Sequence, residues 1–130
     1  MARKKILVAD DEPNIRKLLK RMLGKTCVVL EASDGEEAVN IALTEKPDVI
    51  LMDILMPNMD GYTAYHKLKK NGATRTIPIV MLTGMAFQPH RKLAKKMGVD
   101  GYITKPFNPK VVADKIEQYQ PVATPGCLLD

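Results

Sequence analysis

Short apolar runs and segments of helical period alternate five times along this chain of 130 residues. Residues 5–9, 26–31 and 48–52, then Ile77 to Leu82, then Tyr102 with Ile103, read as strands. They are brief, unbroken and rich in branched side chains, as expected where both faces of a parallel sheet are covered. Pro13, whose missing N–H costs nothing in a first turn, opens a helix. Its apolar positions Ile15, Leu18, Leu19, Met22 and Leu23 recur at helical spacing before Gly24 closes the segment. Ser33 and Glu36 have the spacing of a capping box and open a second helix, with Ala38, Ile41 and Ala42 on its inner face and Pro47 at its end. A third helix is expected from Tyr62 to Lys70, a fourth from Gln88-Pro89 to Gly98, and a fifth from Asn108-Pro109 to about Tyr119. With short connections and right-handed crossovers, this order predicts an α/β fold, a (βα)5 doubly wound five-stranded parallel sheet with helices on both faces. Residues 1–120 would form one domain, and residues 121–130 a flexible tail or linker remnant.

At 45% apolar residues the chain can pack a core without covalent staples. No apolar stretch approaches the length that spans a bilayer, and Met-Ala-Arg-Lys-Lys runs straight into a strand without a secretory leader, so a soluble, cytoplasmic protein is expected. Cys27 and Cys127 form no Cys-x-x-Cys pair; Cys27 reads as a small buried hydrophobe and Cys127 as exposed. The final Cys-Leu-Leu-Asp has the wrong last residue for a prenylation signal. The net charge of +5 is scattered over several segments, which favours a solvated surface over a nucleic-acid footprint.

Chemistry concentrates where the strands end. Asp10 and Asp11 follow the first strand, Asp53 the third, Thr83 the fourth and Lys105 the fifth. Open α/β sheets place their sites at this carboxyl edge. Carboxylates gathered there repel one another unless a proton or a hard cation intervenes. The set fits phosphoryl transfer: Asp11 and Asp53 as Mg²⁺ ligands with Asp10 acting directly or through water, and Asp53 as the nucleophile. Lys105 would meet negative charge developing on the phosphoryl oxygens, and the Thr83 hydroxyl would hydrogen-bond another of them. Asp60-Gly61 superficially suggests a calcium loop, but Met56 and Lys67 stand where its end positions need acids. His66 and His90 have no metal-ligand spacing and read as surface residues.

Four motifs, Ile-Leu-Val-Ala-Asp-Asp-Glu, Asp-Ile-Leu-Met-Pro-Asn-Met-Asp-Gly, Met-Leu-Thr-Gly and Gly-Tyr-Ile-Thr-Lys-Pro-Phe, follow in this order. Together they resemble the receiver domain of two-component response regulators, of the flavodoxin-like, chemotaxis-regulator type, over residues 4 to about 119. The resemblance implies that Asp53 is the phospho-acceptor, that Asp10 and Asp11 form the acidic metal-site pair, and that Leu55 offers its backbone carbonyl to Mg²⁺. It implies that Thr83 is the switch hydroxyl, Lys105 the phosphate-binding lysine, and Tyr102 the aromatic that moves between outward and inward rotamers. It further implies a cis Lys105–Pro106 bond. Leu55 and Met85 would sit over the acyl phosphate; neither can orient a water, so slow self-dephosphorylation is expected.

The function expected is that of a stand-alone response regulator, phosphorylated on Asp53 by a histidine kinase or histidine phosphotransfer protein with Mg²⁺. It would catalyse only its own phosphorylation and dephosphorylation. Its output would be altered affinity for a downstream protein, through the face of the fourth helix, fifth strand and fifth helix. The cations His90, Arg91, Lys92, Lys95 and Lys96 lie on that face or are simply solvated. The first helix, with Asn14, Arg16, Lys17 and Arg21, would meet the kinase together with Phe107-Asn108-Pro109. No membrane and no direct nucleic-acid partner are expected. The alternatives are a receiver cut from a longer regulator and a phosphorylation-independent binding module. A metal-dependent phosphatase would want an acid at position 55, where leucine stands.

Overall fold

The computed structural model describes residues 3–84, 100–105 and 107–119. In chain order these form β1 (Lys4–Ala9), α1 (Pro13–Leu23), β2 (Cys27–Ala32), α2 (Gly35–Glu45), β3 (Val49–Asp53), α3 (Gly61–Lys70), β4 (Ile79–Gly84), β5 (Gly101–Lys105) and α4 (Pro109–Glu117). The expected fourth helix, Met85, the basic set from His90 to Lys96, Pro106, and the tail with Cys127 lie outside the described residues, so α4 is the helix expected fifth.

All strand pairs are parallel, and the strand order is β2-β1-β3-β4-β5. Successive strand residues point to opposite faces, and each face is roofed by helices. Leu7, Ala9, Ile50, Met52, Ile79 and Met81 pack with Ala38 and Ala42 of α2 and with Ala64 and Leu68 of α3. Ile6, Val8, Val49, Leu51, Val80 and Leu82 pack with Leu19 and Leu23 of α1 and with Val112 and Ile116 of α4. The doubly wound sheet is therefore present, and the unbroken apolar runs have this cause: alternate residues serve two different cores. Among the described residues no helix is long and apolar enough to cross a membrane.

Several local expectations are corrected. The second helix is capped by Asp34 rather than Ser33. Asp34 Oδ1 accepts from the Glu37 N–H (2.8 Å), while Glu37 Oε1 accepts from the Ser33 N–H (2.8 Å), so the reciprocal pair sits one residue later than the Ser33–Glu36 box. Tertiary contact supports that choice, because Asn58 donates its side-chain amide to Asp34 Oδ2 (2.8 Å) and Gly35 N–H donates to the Met59 carbonyl (2.9 Å). Gly24 ends α1 in a right-handed conformation (φ −65°), not the left-handed one usual for a closing glycine, and its N–H donates to Lys20 O. Leu18 turns away from the core and is 39% exposed. β4 starts at Ile79, because Ile77 is held in the preceding turn by its N–H bond to Thr74 O. β5 extends over Gly101–Lys105, drawn out by pairing with Val80–Gly84 of β4. α4 stops at Glu117, two residues before Tyr119, whose hydroxyl donates to the Asp100 carbonyl (2.7 Å).

Gly61, like Gly35, stands where backbone approaches backbone too closely to admit a side chain. Its N–H donates to Ile54 O (2.8 Å), and a Cβ there would fall onto the carbonyl oxygen of Asp53. Backbone cannot step aside as a flexible side chain can. Gly61→Ala is therefore expected to lower unfolding free energy by about 2 kcal/mol, measured by urea titration; unchanged stability would contradict the close approach.

Candidate functional site

Strand register builds the site. After β2 the chain crosses to the far side of β1, so the strand order reverses between β1 and β3, where open sheets form their crevice. Ala9 pairs with Met52, so Asp10 and Asp53 leave neighbouring strands at the same level. Asp53 pairs with Leu82, Thr83 with Thr104 and Gly84 with Lys105, which brings the ends of β4 and β5 to that edge.

Asp10 is fully buried and its N–H donates to the Ala32 carbonyl (3.0 Å), which prolongs the β1–β2 ladder by one residue. Its Oδ1 accepts from the Glu12 N–H (2.9 Å) and its Oδ2 from the Lys105 ammonium (2.8 Å). Asp53 is 8% exposed. Lys105 Nζ also lies 3.4 Å from Asp53 Oδ2 and 3.7 Å from Glu12 Oε1. One ammonium thus joins residues that stand 95 and 52 positions away in sequence, from three different strand ends.

Burial, reinforced by the charge of Asp10 and to a lesser degree Asp11, raises the Asp53 carboxyl to a pKa of about 6, although Lys105 pulls the other way. Asp53 is accordingly anionic above neutrality but more basic than an ordinary aspartate, a useful property in a carboxylate nucleophile. Lys105 feels the opposite balance. Burial works against its charge, yet the hydrogen bond it donates to Asp10 and the field of Asp53 outweigh it and hold the ammonium protonated.

Asp10, Asp11 and Glu12 can each offer a carboxylate oxygen, with all three atoms within 4.8 Å of one another. Two of these acids are exposed and one is buried. An all-oxygen, strongly acidic donor set suits a hard divalent cation such as Mg²⁺, which usually takes one or two carboxylates and keeps several waters. The residues present therefore fit the expected metal. The expected set was Asp10, Asp11, Asp53 and Leu55; the described geometry groups Asp10 and Asp11 with Glu12, and keeps Asp53 bridged to Asp10 through Lys105. Glu12, which was not among the expected site residues, lies in the same acidic cluster; a third acid directly after two others was a visible signal. Leu55 lies just beyond β3 and is 63% exposed.

Thr83 occupies the penultimate position of β4; the placement of its side chain lies outside the description. Tyr102 is half-buried on β5, opposite Met81, and packs against the α2–α3 core. A groove of about 350 Å³ runs beside the acids, lined by Glu12, Ile15, Leu18, Lys105 and Phe107. Arg16, expected to face a partner, turns inward instead: its Nη1 donates to the Asp10 carbonyl (2.7 Å) and its Nε to Glu31 Oε1 (3.3 Å).

Fold and crevice define the class: an open, doubly wound parallel sheet with an acidic pocket and one lysine at the reversal of strand order. The chain belongs to the response regulator receiver domain family, whose model matches residues 6–117. Among curated relatives, it is 41% identical over 115 residues to the alkaline phosphatase synthesis transcriptional regulatory protein PhoP of Bacillus subtilis, covering 88% of this chain and 47% of that protein. It is 40% identical over 115 residues to the probable transcriptional regulator ycf27 of Guillardia theta, covering 88% of this chain and 44% of that one. The chain thus spans about half the length of these relatives. Among solved structures, the chemotaxis protein CheY4 of Vibrio cholerae superposes with a TM-score of 0.83 at 30% identity, over 92% of this chain and 100% of that one. The receiver domain of the sensor histidine kinase PA1611 from Pseudomonas aeruginosa gives a TM-score of 0.83 at 30% identity, over 91% and 98%; that structure has a magnesium ion coordinated in its active-site cleft. The chain is thus a receiver domain of two-component phosphorelay signalling.

Proposed function

We propose that Asp53 accepts a phosphoryl group from a phosphohistidine on a histidine kinase or phosphotransfer protein, and that the phosphorylated chain changes its affinity for a protein target. The observation that carries this reading is the Lys105 ammonium held 2.8 Å from Asp10 and 3.4 Å from Asp53. In the transfer, an Asp53 carboxylate oxygen forms the new P–O bond while the P–N bond of the donor breaks; the bonding pair stays on the imidazole nitrogen, which takes up a proton from solvent. Lys105 supplies positive charge to the phosphoryl oxygens, which need it most as charge spreads in the transition state. Asp10, Asp11 and Asp53, with the carbonyl of Leu55, would hold Mg²⁺, which when bound neutralises charge between the carboxylates and the incoming phosphoryl group. Thr83 would hydrogen-bond the transferred group, and Tyr102, packed at the edge of the α2–α3 core, would follow it inward. That rearrangement shifts the population between two surface states. The partner that delivers phosphate would use the groove of Ile15, Leu18 and Phe107, which borders Lys105.

A second reading concerns architecture. The curated relatives are transcriptional regulators about twice this chain's length. A receiver within such a regulator would pass its signal to a further domain rather than to a separate protein. Phosphorylation-dependent capture of a protein target by the 130-residue chain alone would favour the stand-alone role.

The direct test is incubation with Mg²⁺ and acetyl phosphate, followed by intact-mass and peptide mass spectrometry. Gain of one phosphoryl group on Asp53, absent in Asp53→Ala, is expected. Labelling elsewhere, or undiminished labelling of Asp53→Ala, would overturn the assignment.

A further inference from the structure

We infer that Arg16 is a positioning residue for the acidic pocket: it clamps the backbone of Asp10 from α1 and so fixes how the acids meet a divalent cation. The inference rests on the phospho-acceptor reading above. Asp10 is the first residue beyond β1, and its carbonyl lies past the last regular pairing with β2 and β3. The residue is fully buried, so that carbonyl needs a donor from within the protein. Arg16 provides it at 2.7 Å. The same guanidinium donates through Nε to Glu31 Oε1 at 3.3 Å, and Lys20 holds the other Glu31 oxygen at 3.5 Å. Glu31 belongs to β2, the strand whose Ala32 carbonyl receives the Asp10 N–H. Both backbone polar groups of Asp10 are therefore anchored at one place, where α1 meets β2.

The Arg16 side chain is only 18% exposed, far from the behaviour of a freely solvated surface cation. A planar guanidinium can serve a carbonyl and a carboxylate at once from two fixed N–H directions; an ammonium at the same place would serve them less well. With the donor gone, the peptide following Asp10 is free to rotate. That peptide carries Asp11, and the next N–H is the one that Glu12 gives to Asp10 Oδ1. Rotation there would re-aim all three acids together.

The test uses the full chain with Arg16→Met, which keeps the packed stem and removes every donor, beside Arg16→Lys and the distant control Lys67→Met. Mg²⁺ affinity is read by competition with Mn²⁺ in electron paramagnetic resonance, labelling by acetyl phosphate, and local geometry by the amide resonance of Glu12. Arg16→Met is expected to weaken Mg²⁺ binding roughly tenfold, a change of about 1.4 kcal/mol, to slow labelling, and to shift the Glu12 amide. Arg16→Lys is expected to fall between Arg16→Met and the wild type, and Lys67→Met to match the wild type. Wild-type Mg²⁺ affinity and an unmoved Glu12 amide in Arg16→Met would overturn the inference while leaving the phospho-acceptor reading intact. A wild-type chain that acetyl phosphate does not label would instead overturn that reading. If Arg16→Met does not fold, the soluble Glu31→Gln chain is measured; it loosens the other half of the clamp and is expected to weaken Mg²⁺ binding severalfold, with unchanged affinity counting against the clamp.

Discussion

Replacing Lys105 by methionine is expected to slow phosphorylation of Asp53 by about 100-fold or more and to destabilise the fold by about 3 kcal/mol. Both effects have one origin. The ammonium meets Asp10 at 2.8 Å, Asp53 at 3.4 Å and Glu12 at 3.7 Å. Asp10 is fully buried, and without Lys105 its carboxylate keeps the hydrogen bond from the Glu12 N–H but, among the described residues, no cationic partner. Removing one member of a buried pair costs more than the pair's net contribution, because the remaining charge stays desolvated. The catalytic loss is separate: positive charge is missing where phosphoryl oxygens gain negative charge. The two are distinguished by unfolding in EDTA, where only the structural part is seen, and by single-turnover labelling with acetyl phosphate at saturating Mg²⁺. Part of the stability should return when Mg²⁺ is added, since a divalent cation can take over the role of counter-charge. A variant as stable and as readily labelled as the wild type would remove Lys105 from the site.

Asp53→Asn acts in the opposite sense on stability. It should abolish phosphorylation yet stabilise the protein in EDTA at about pH 7.5 by up to about 3 kcal/mol. Burial first, and Asp10 second, raise the folded-state pKa of Asp53 from 3.8 to about 6. Between those two values the folded chain binds more protons than the unfolded one, so ionising Asp53 costs folding free energy as pH rises through that window. Above about pH 6 the whole cost is present, and below about pH 4 both states hold the proton and it vanishes. Asparagine keeps the shape and never ionises. The gain should therefore shrink steadily as urea unfolding is repeated at lower pH, and also shrink in Mg²⁺, which compensates the wild-type charge. A pH-independent difference between the two chains would contradict this origin. A gain with this pH dependence would fit the proposal that the pocket receives a cation and a phosphoryl group.

Much of this is legible in the amino-acid sequence. Apolar runs that serve two cores reveal buried parallel strands, and Pro13, Pro47, Asn108 and Pro109 mark helix boundaries for reasons that do not depend on context. Asp10, Asp11, Asp53, Thr83 and Lys105 lie at or just beyond strand ends, so a parallel sheet must deliver their backbones to one edge. What failed was what depends on neighbours remote in sequence. Asp34 rather than Ser33 caps α2 where Asn58 and Met59 of the β3–α3 loop dock on it. Leu18, placed at a core-compatible spacing, turns toward the groove beside Phe107.

The amino-acid order thus determined the layers of the fold and which residues arrive at its carboxyl edge, because periodicity and strand ends are local properties. Only the packed molecule decided how those groups divide their partners. Lys105 goes to Asp10 more closely than to Asp53, Glu12 joins Asp10 and Asp11, and Arg16 turns inward to the Asp10 carbonyl. The reason is physical. A buried charge or carbonyl must be satisfied by whatever donor the surrounding elements bring within about 3 Å, and that donor is chosen by the meeting of strands and helices, not by spacing along the chain.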